Sequence, residues 1–284
     1  MNHIDPKLIN QILCTDCVAG MQQLPDCCIP LTVTSPPYDD LRTYGGHTFD
    51  FEAVAGELWR ITMNGGIVVW VVGEQVKKGT ETGTAARQKL HFMDLGFRCS
   101  TMIMVTSRVR FPQRGRYPSV FDYAFVLTKG RPRHFHAICD KKNKYVGEKF
   151  RWKLRERDGR IVKREHCHDK YVGVFGSRMN VWFYHVGYMK TTTDKDAYGH
   201  PALMPEKMAE DFIISFSRPG DLILDPFSGA GTTSKMAMLN GRRYLGMEIC
   251  ENYASDSRKR LEKARQEHKR RLDDLLFGGD QRTA

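Results

Sequence analysis

Five residues near the start of the chain have the types and spacing to hold an amino group of a base: Thr34-Ser35-Pro36-Pro37-Tyr38. Two consecutive prolines fix φ and restrict the residue before them, so the turn holds its carbonyl oxygens in set directions. The Ser35 hydroxyl and the Pro36 carbonyl can accept both hydrogens of an NH2 group, which aims the nitrogen lone pair at an electrophile. Tyr38 can stack on the base. An ordinary Pro-Pro turn would have the same sequence, so this run needs support from elsewhere in the chain.

A second run, Asp225-Pro226-Phe227-Ser228-Gly229-Ala230-Gly231-Thr232-Thr233, lies between an apolar stretch and a helical one. Residues 222–224 predict a buried strand and residues 234–239 a helix, so the glycines fall in a strand-to-helix turn. Gly229 and Gly231 have no Cβ and let the backbone approach a ligand, and the helix start offers unpaired N–H groups. The run therefore predicts a nucleotide-like ligand. It lacks the third glycine of the dinucleotide fingerprint, which disfavours nicotinamide and flavin.

An acid closes this predicted strand-helix-strand unit. Residues 243–248 predict a second short strand that ends at Glu248, 23 residues after Asp225. This separation suits a carboxylate that accepts hydrogen bonds from ribose hydroxyls. The turn, the helix and the terminal acid together favour nucleoside binding over a purely structural turn.

The two runs resemble those of the S-adenosylmethionine-dependent DNA amino-methyltransferases, which modify cytosine N4 or adenine N6. Ser35-Pro36-Pro37-Tyr38 is similar to the catalytic motif of that family, and the run 225–233 is similar to its cofactor loop. The order of catalytic motif, basic segment and cofactor loop resembles the beta class. Related glutamine and ribosomal amino-methyltransferases place the glycine loop first. The resemblance covers nearly the whole chain outside residues 130–190.

The resemblance implies roles for particular residues. Asp16 would contact the adenine of the cofactor S-adenosyl-L-methionine, and the segment that begins at His200 would line its methionine end. The catalytic residues would be Ser35, Pro36, Pro37 and Tyr38. The cofactor-binding residues would be Asp16, His200, Pro201, Ala202, Asp225, Pro226, Phe227, Ser228, Gly229, Gly231, Thr232, Thr233 and Glu248.

The expected reaction is direct methyl transfer to the amino group of a base flipped out of double-stranded DNA, within a specific sequence. In the resembling family a serine before Pro-Pro-Tyr usually accompanies cytosine N4, and an aspartate or asparagine usually accompanies adenine N6. Ser35 therefore favours cytosine N4, and adenine N6 is the alternative. Methylation of cytosine carbon 5 needs a cysteine nucleophile, usually after proline in that family, and this chain has no Pro-Cys pair. A DNA-binding protein of the same fold without catalysis is a third interpretation, which the intact motifs disfavour.

Charge is concentrated in one segment. The net charge is +11, and residues 129–190 hold 17 Lys or Arg against 6 Asp or Glu, which leaves 27 of each sign elsewhere. Such a patch, interleaved with aromatic residues, is what binding to phosphates requires. A solvated basic insertion is the other interpretation.

The predicted fold is α/β, a doubly wound, mostly parallel, Rossmann-like methyltransferase sheet with a small basic target-recognition insertion. Residues 1–129 and 191–284 would form the catalytic domain that binds S-adenosyl-L-methionine, and residues 130–190 the target-recognition segment. Besides the two strands above, apolar strand candidates occur at 12–14, 31–33, 67–72, 102–105 and 123–127. Helices are predicted at 51–63, 207–217 and, as a charged solvated flank, 251–276. The glycine- and charge-rich residues 76–87 predict a surface loop.

Eight cysteines raise the question of metal. Cys14 and Cys17 have CxxC spacing, but they bracket Asp16 and no second CxxC accompanies them. A His/Cys-rich set leaves open a structural zinc in the basic segment: His134, His136, Cys139, His166, Cys167 and His168. We expect no metal in the catalytic site. With no signal peptide and no membrane-length apolar run, the thiols are expected to be reduced in a cytoplasmic protein with no membrane partner. The resemblance leaves open a homodimer and a companion restriction endonuclease, as in restriction-modification systems.

Overall fold

Alternation of short apolar runs with amphipathic ones gives this chain fourteen strands and six α-helices in the part that its computed structural model describes, residues 4–37, 50–107, 115–149, 153–163 and 170–277. The strands are β1 (Gln11–Cys14), β2 (Ile29–Thr34), β3 (Thr62–Val72), β4 (Val76–Lys77), β5 (Thr80–Glu81), β6 (Arg98–Thr106), β7 (Phe121–Thr128), β8 (Lys141–Lys142), β9 (Lys153–Arg155), β10 (Ile161–Lys163), β11 (Phe175–Gly176), β12 (Val181–Tyr184), β13 (Leu222–Asp225) and β14 (Arg243–Glu248). The helices are α1 (Cys17–Gln22), α2 (Phe51–Ile61), α3 (Thr84–Asp94), α4 (Glu206–Phe216), α5 (Thr232–Leu239) and α6 (Glu251–Phe277).

Eight of these strands form one sheet in the order β1-β14-β13-β2-β3-β7-β6-β12. All neighbours are parallel except at β7, which runs antiparallel to both β3 and β6. Every residue of β3 from Gly65 to Val72 is buried, so both faces of the sheet are covered, as a mostly parallel sheet requires. The predicted α/β class and mostly parallel sheet are confirmed.

The main apolar core lies where α1, α2 and α3 pack against the sheet. Trp70 of β3 is fully buried at its centre, in edge contacts with Phe51 of α2 and Phe92 of α3. The indole N–H of Trp70 donates to the buried Gln88 Oε1 at 2.9 Å, so the polar atom of this large side chain is satisfied. This core holds the central strands in register and thereby fixes where their carboxyl ends lie.

Three predictions about local structure are wrong. Residues 76–87 are not a loop, because β4 and β5 pair as a small hairpin and α3 begins at Thr84. The helix predicted to reach residue 63 ends at Ile61, where β3 takes over. The C-terminal helix is not simply a solvated flank, because Ala254, Arg260 and Leu261 on one of its faces are buried.

The chain divides into two compact units, residues 1–136 with 180–284 and residues 137–179. The first unit contains the sheet, including β12, which pairs in parallel with β6. In the second, two short antiparallel pairs form, β8 with β11 and β9 with β10. The Arg178 Nε donates to Asp140 Oδ2 at 2.9 Å, which ties together the two ends of this unit. No helix in the described ranges is long and apolar enough to cross a membrane.

Candidate functional site

Four neighbouring parallel strands end at the same edge of the sheet, and the predicted site residues follow those ends. Asp16 comes just after β1, Ser35 just after β2, while Asp225 and Glu248 end β13 and β14. Ligands of open α/β sheets bind at this edge because the loops there diverge and leave a crevice. A cavity of about 1480 Å³ lies at this edge, which is larger than the space that one small ligand usually needs.

Most of the predicted site residues line this one cavity. They are Asp16, Ser35, Pro36, Pro37, His200, Pro201, Ala202, Asp225, Pro226, Phe227, Ser228, Gly229, Thr232, Thr233 and Glu248. Gly231 lies behind the cavity lining, and Tyr38 is outside the described residues. Tertiary structure thus brings together two runs that are almost two hundred residues apart in the chain.

Asp225 joins the two runs directly. Its Oδ1 accepts hydrogen bonds from Thr34 Oγ1 at 2.7 Å and from the Phe227 backbone N–H at 3.1 Å. Burial raises the pKa of Asp225 to about 6, although these hydrogen bonds act in the opposite direction. The run 225–233 is here called the glycine turn, and Ser35-Pro36-Pro37 the Pro-Pro turn. Because Thr34 immediately precedes Ser35, the buried acid Asp225 of the glycine turn also fixes the position of the Pro-Pro turn.

Glu248 holds the start of the glycine turn. Its Oε2 accepts from the Gly229 N–H at 2.9 Å, and its Oε1 accepts from the Cys250 N–H at 2.9 Å. Gly229 has a φ of +51°, and a Cβ there would lie 3.0 Å from the ring of His200. A side chain at this position would therefore be strained and would push into the cavity wall.

The cavity offers features that fit a nucleoside ligand. The hydroxyl of Ser228 is buried and has no hydrogen-bond partner within the described parts of the chain. Buried polar groups are normally paired, so this unpaired hydroxyl, which has almost no accessible surface, is an exception. A Cβ on Gly246 would lie 2.6 Å from this hydroxyl, so glycine there leaves room for Ser228. Together with the Glu248 carboxylate, these residues can accommodate the nucleoside part of an S-adenosyl cofactor.

His200 and Asp16 have structural contacts as well as positions in the cavity wall. The His200 Nδ1 lies 2.6 Å from the Ala202 carbonyl, and its ring contacts the ring of Tyr253 at 4.5 Å between centroids. Asp16 Oδ1 accepts from the N–H groups of Val18 and Ala19 and so caps α1. The cap fixes the direction in which the carboxylate lies relative to the cavity.

Sequence reasoning missed several residues of the cavity wall. Asp122 in β7, Tyr188 and Tyr198 after β12, and Tyr253 in α6 all line it. A signal existed only for Asp122, which is a buried acid within an otherwise apolar strand pattern. The tyrosines carry no comparable pattern, because they reach the cavity from segments that the chain folds back over it.

The described residues contain no group of three His, Cys, Asp or Glu side chains that could hold a metal ion. His166, Cys167 and His168 of the predicted His/Cys-rich set lie outside the described residues. Burial raises the pKa of the Cys17 thiol to about 12, so this member of the CxxC pair is held as an unreactive thiol.

Comparison with known proteins identifies relatives over almost the full chain. Residues 29–259 match the family model of N6 and N4 methyltransferases, described as DNA methylase. The orphan methyltransferase M.BamHII of Bacillus amyloliquefaciens is 47% identical over 252 residues, which cover 88% of this chain and 94% of that protein.

Solved structures share the fold. The cytosine-N4-specific PvuII DNA methyltransferase has a TM-score of 0.61 at 18% identity and covers 92% of each chain. The DNA modification methylase TTHA0409 of Thermus thermophilus, in its complex with S-adenosyl-L-methionine, has a TM-score of 0.56 at 24% identity, over 88% of this chain and 93% of that one. At these identities the likeness establishes the fold alone.

Proposed function

The chain belongs to the DNA methylase family of N6 and N4 methyltransferases, and on that premise we propose that it methylates cytosine N4 within a specific DNA sequence. That the chain is a DNA amino-methyltransferase follows from the family and from its relative M.BamHII. The choice of base and the roles of individual residues are the proposal. The observation that carries it is the Ser35-Pro36-Pro37 turn, which lines the same cavity as the glycine turn and is tied to it through Thr34 and Asp225.

The cofactor of this enzyme is S-adenosyl-L-methionine, which supplies an electrophilic methyl group on a sulfonium when bound. We assign the ribose hydroxyls to Glu248, the adenine to Asp16 and the methionine end to the segment from His200 to Ala202. Gly229 supports this assignment, because a side chain there would push against His200 in the cavity wall and reduce the space for a ligand.

The Pro-Pro turn would bind and orient the amino group that accepts the methyl. Ser35 Oγ and the Pro36 carbonyl supply two acceptors, one for each hydrogen, which leaves the nitrogen lone pair free to attack. Pro36 is buried and Ser35 is half-buried, so little water competes for these acceptors. We place Tyr38 against the face of a flipped base, as an extension of the motif beyond the described residues.

Serine supports cytosine as the target base. In the resembling family this residue usually accompanies cytosine N4, and the PvuII enzyme of the same fold is cytosine-N4-specific. Adenine N6 is the second candidate, because the same two acceptors fit either exocyclic amino group.

We propose that DNA is held through residues 130–190. The compact unit 137–179 contributes 13 Lys or Arg against 6 Asp or Glu, and such an excess favours contact with phosphates. A concentration of cations in one small unit is more than solubility requires, and it supports a role in DNA binding.

The test is to incubate unmethylated DNA of mixed sequence with the protein and S-adenosyl-L-methionine, then digest it to nucleosides for mass spectrometry. We expect N4-methylcytosine, and far less of it at the same incubation time with Ser35→Ala as the matched control. N6-methyladenine would overturn the choice of base and leave the methyltransferase assignment intact. Absence of any methylated nucleoside, with DNA binding retained, would favour the inactive DNA-binding protein.

A further inference from the structure

A cluster of four charged side chains, with two buried cations and two half-buried acids, lies next to the glycine turn. Lys235 of α5 and Arg260 of α6 are each 6% exposed, and both contact Asp194 and Glu206. Two cations and two anions balance, which is the condition under which charges can be buried at tolerable cost. Burial alone would raise the pKa of Asp194, but the bonds from Lys235 and Arg260 hold it below its ordinary value.

Arg260 uses all five of its N–H donors in this cluster. Nε donates to Asp194 Oδ2 at 2.7 Å, and Nη2 donates to Glu206 Oε1 at 2.6 Å and to Thr192 Oγ1 at 3.2 Å. Nη1 donates to the Ala230 carbonyl at 2.7 Å and to Thr232 Oγ1 at 3.1 Å. Ala230 and Thr232 belong to the glycine turn, so one guanidinium joins the turn to residues 192–206.

Thr192 and Asp194, which Arg260 joins to the glycine turn, belong to the segment from Val186 to Pro205, here called the strap. Many of its residues line the cavity, among them Tyr188, Tyr198 and the run from His200. In the described structure its regular element is one short 3-10 helix, Lys195–Gly199. Internal hydrogen bonds, such as those from the Tyr198 hydroxyl to the Gly187 and Thr192 carbonyls, hold the strap in its own shape but do not join it to the glycine turn.

Helix α6 also packs closely against Gly231 of the glycine turn. A Cβ on Gly231 would lie 2.9 Å from Leu261 and 3.0 Å from Ser257. None of the four charged side chains is among the described residues that line the cavity. Any influence of this cluster on a ligand must therefore act through the turn and the strap.

We propose that Arg260, with Lys235, is a positioning residue that latches the strap to the glycine turn and thereby sets the affinity for S-adenosyl-L-methionine. The inference rests on the proposed function, because it concerns the cofactor of the same site. It assigns α6 a part in cofactor binding that no motif of the sequence indicates.

The decisive variant is Arg260→Lys, which keeps the charge. Lysine has three donors on one nitrogen and cannot reach the five acceptors that the planar guanidinium joins. We expect the Kd for S-adenosyl-L-methionine, measured by calorimetry, to rise at least about tenfold, which is about 1.4 kcal/mol. The KM for the cofactor rises likewise, while kcat at saturating cofactor and the affinity for DNA without cofactor stay within about twofold.

Lys263→Met is the matched control. Lys263 lies one turn further along α6 and also pairs with the strap, through Asp196 at 3.4 Å, but both side chains are exposed. Exposed pairs contribute little, so this variant should bind the cofactor as the wild type does. If Arg260→Lys also binds S-adenosyl-L-methionine with wild-type affinity, or loses DNA affinity in the same proportion, the proposed positioning role of Arg260 is refuted.

Thr192→Val is a milder test on the strap itself. It removes one hydroxyl that donates to Glu206 Oε1 at 2.7 Å and accepts from Arg260 and from the Asp194 backbone N–H, with little change in volume. It should weaken cofactor binding in the same direction, and wild-type affinity would count against the proposal even if an Arg260 variant failed to fold. A wild-type protein that neither binds S-adenosyl-L-methionine nor methylates DNA would refute the proposed function instead.

Discussion

Replacing Asp225 by asparagine should stabilise the protein at neutral and alkaline pH. Asparagine keeps an oxygen that can accept from Thr34 Oγ1 and the Phe227 N–H, but it removes a charge from a fully buried position. Its amide can donate to Thr233 Oγ1, which itself donates to the Val33 carbonyl at 3.2 Å. The hydrogen-bonded link between the two turns should therefore survive.

The magnitude follows from the pKa of Asp225, which burial raises from 3.8 to about 6. Between these two values the folded protein binds a proton that the unfolded chain has released, so stability falls as the pH rises through the folded pKa. The stabilisation is fully present below the unfolded pKa, and ionising Asp225 costs about 3 kcal/mol once the pH is well above 6. Since domains are stable by roughly 5–15 kcal/mol, this is a measurable share.

Urea denaturation without cofactor, at a series of pH values from about 4 to 8, measures this contribution as a free energy of unfolding. Asp225→Asn should gain up to about 3 kcal/mol at the alkaline end and little at the acidic end. The exposed Asp256→Asn is the control and should match the wild type throughout. A wild-type pH dependence in Asp225→Asn would refute the reasoning, because it would mean that Asp225 does not titrate with a raised pKa.

Three further outcomes are expected. Ser35→Ala should lower the single-turnover methylation rate by about a hundredfold while the Kd for S-adenosyl-L-methionine by calorimetry stays within about twofold, and an unchanged rate would contradict its role. Gly231→Ala should lower the free energy of unfolding, measured by urea denaturation, more than its control Gly241→Ala does. Both glycines have a positive φ, so alanine adds a strain of about 1–2 kcal/mol at either position, but only at Gly231 would the Cβ meet α6. Equal losses of unfolding free energy in the two variants would show that α6 can shift to make room for the added Cβ. DNA affinity, followed by fluorescence anisotropy, should fall by about a thousandfold between 50 and 200 mM salt if about six phosphates are contacted, and salt-independent binding would exclude the basic unit as the contact.

The sequence by itself was enough to predict the class of fold and the family of DNA amino-methyltransferases, while the roles of individual residues stay predictions. The Pro-Pro-Tyr run, the glycine turn and the terminal Glu248 are local patterns, because each depends on the conformational limits of a few adjacent residues. The buried strands were equally readable, since a strand covered on both faces must be apolar throughout. Helix α3 was missed because it begins in a glycine- and charge-rich stretch, and strand β12 was missed because it falls inside residues 130–190, which were assigned to target recognition.

Only the tertiary structure decided which of these parts touch. The bond from Thr34 to Asp225 spans 191 positions, and the bonds from Arg260 to residues 192–232 join a helix, a turn and an irregular strap. Such contacts depend on strand order and register, which place the ends of β2 and β13 side by side. No local pattern encodes them, because an arginine in a charged helix has the same sequence signature whether it is solvated or buried. The predicted site residues are therefore held in position by residues, such as Arg260, that no sequence motif indicates.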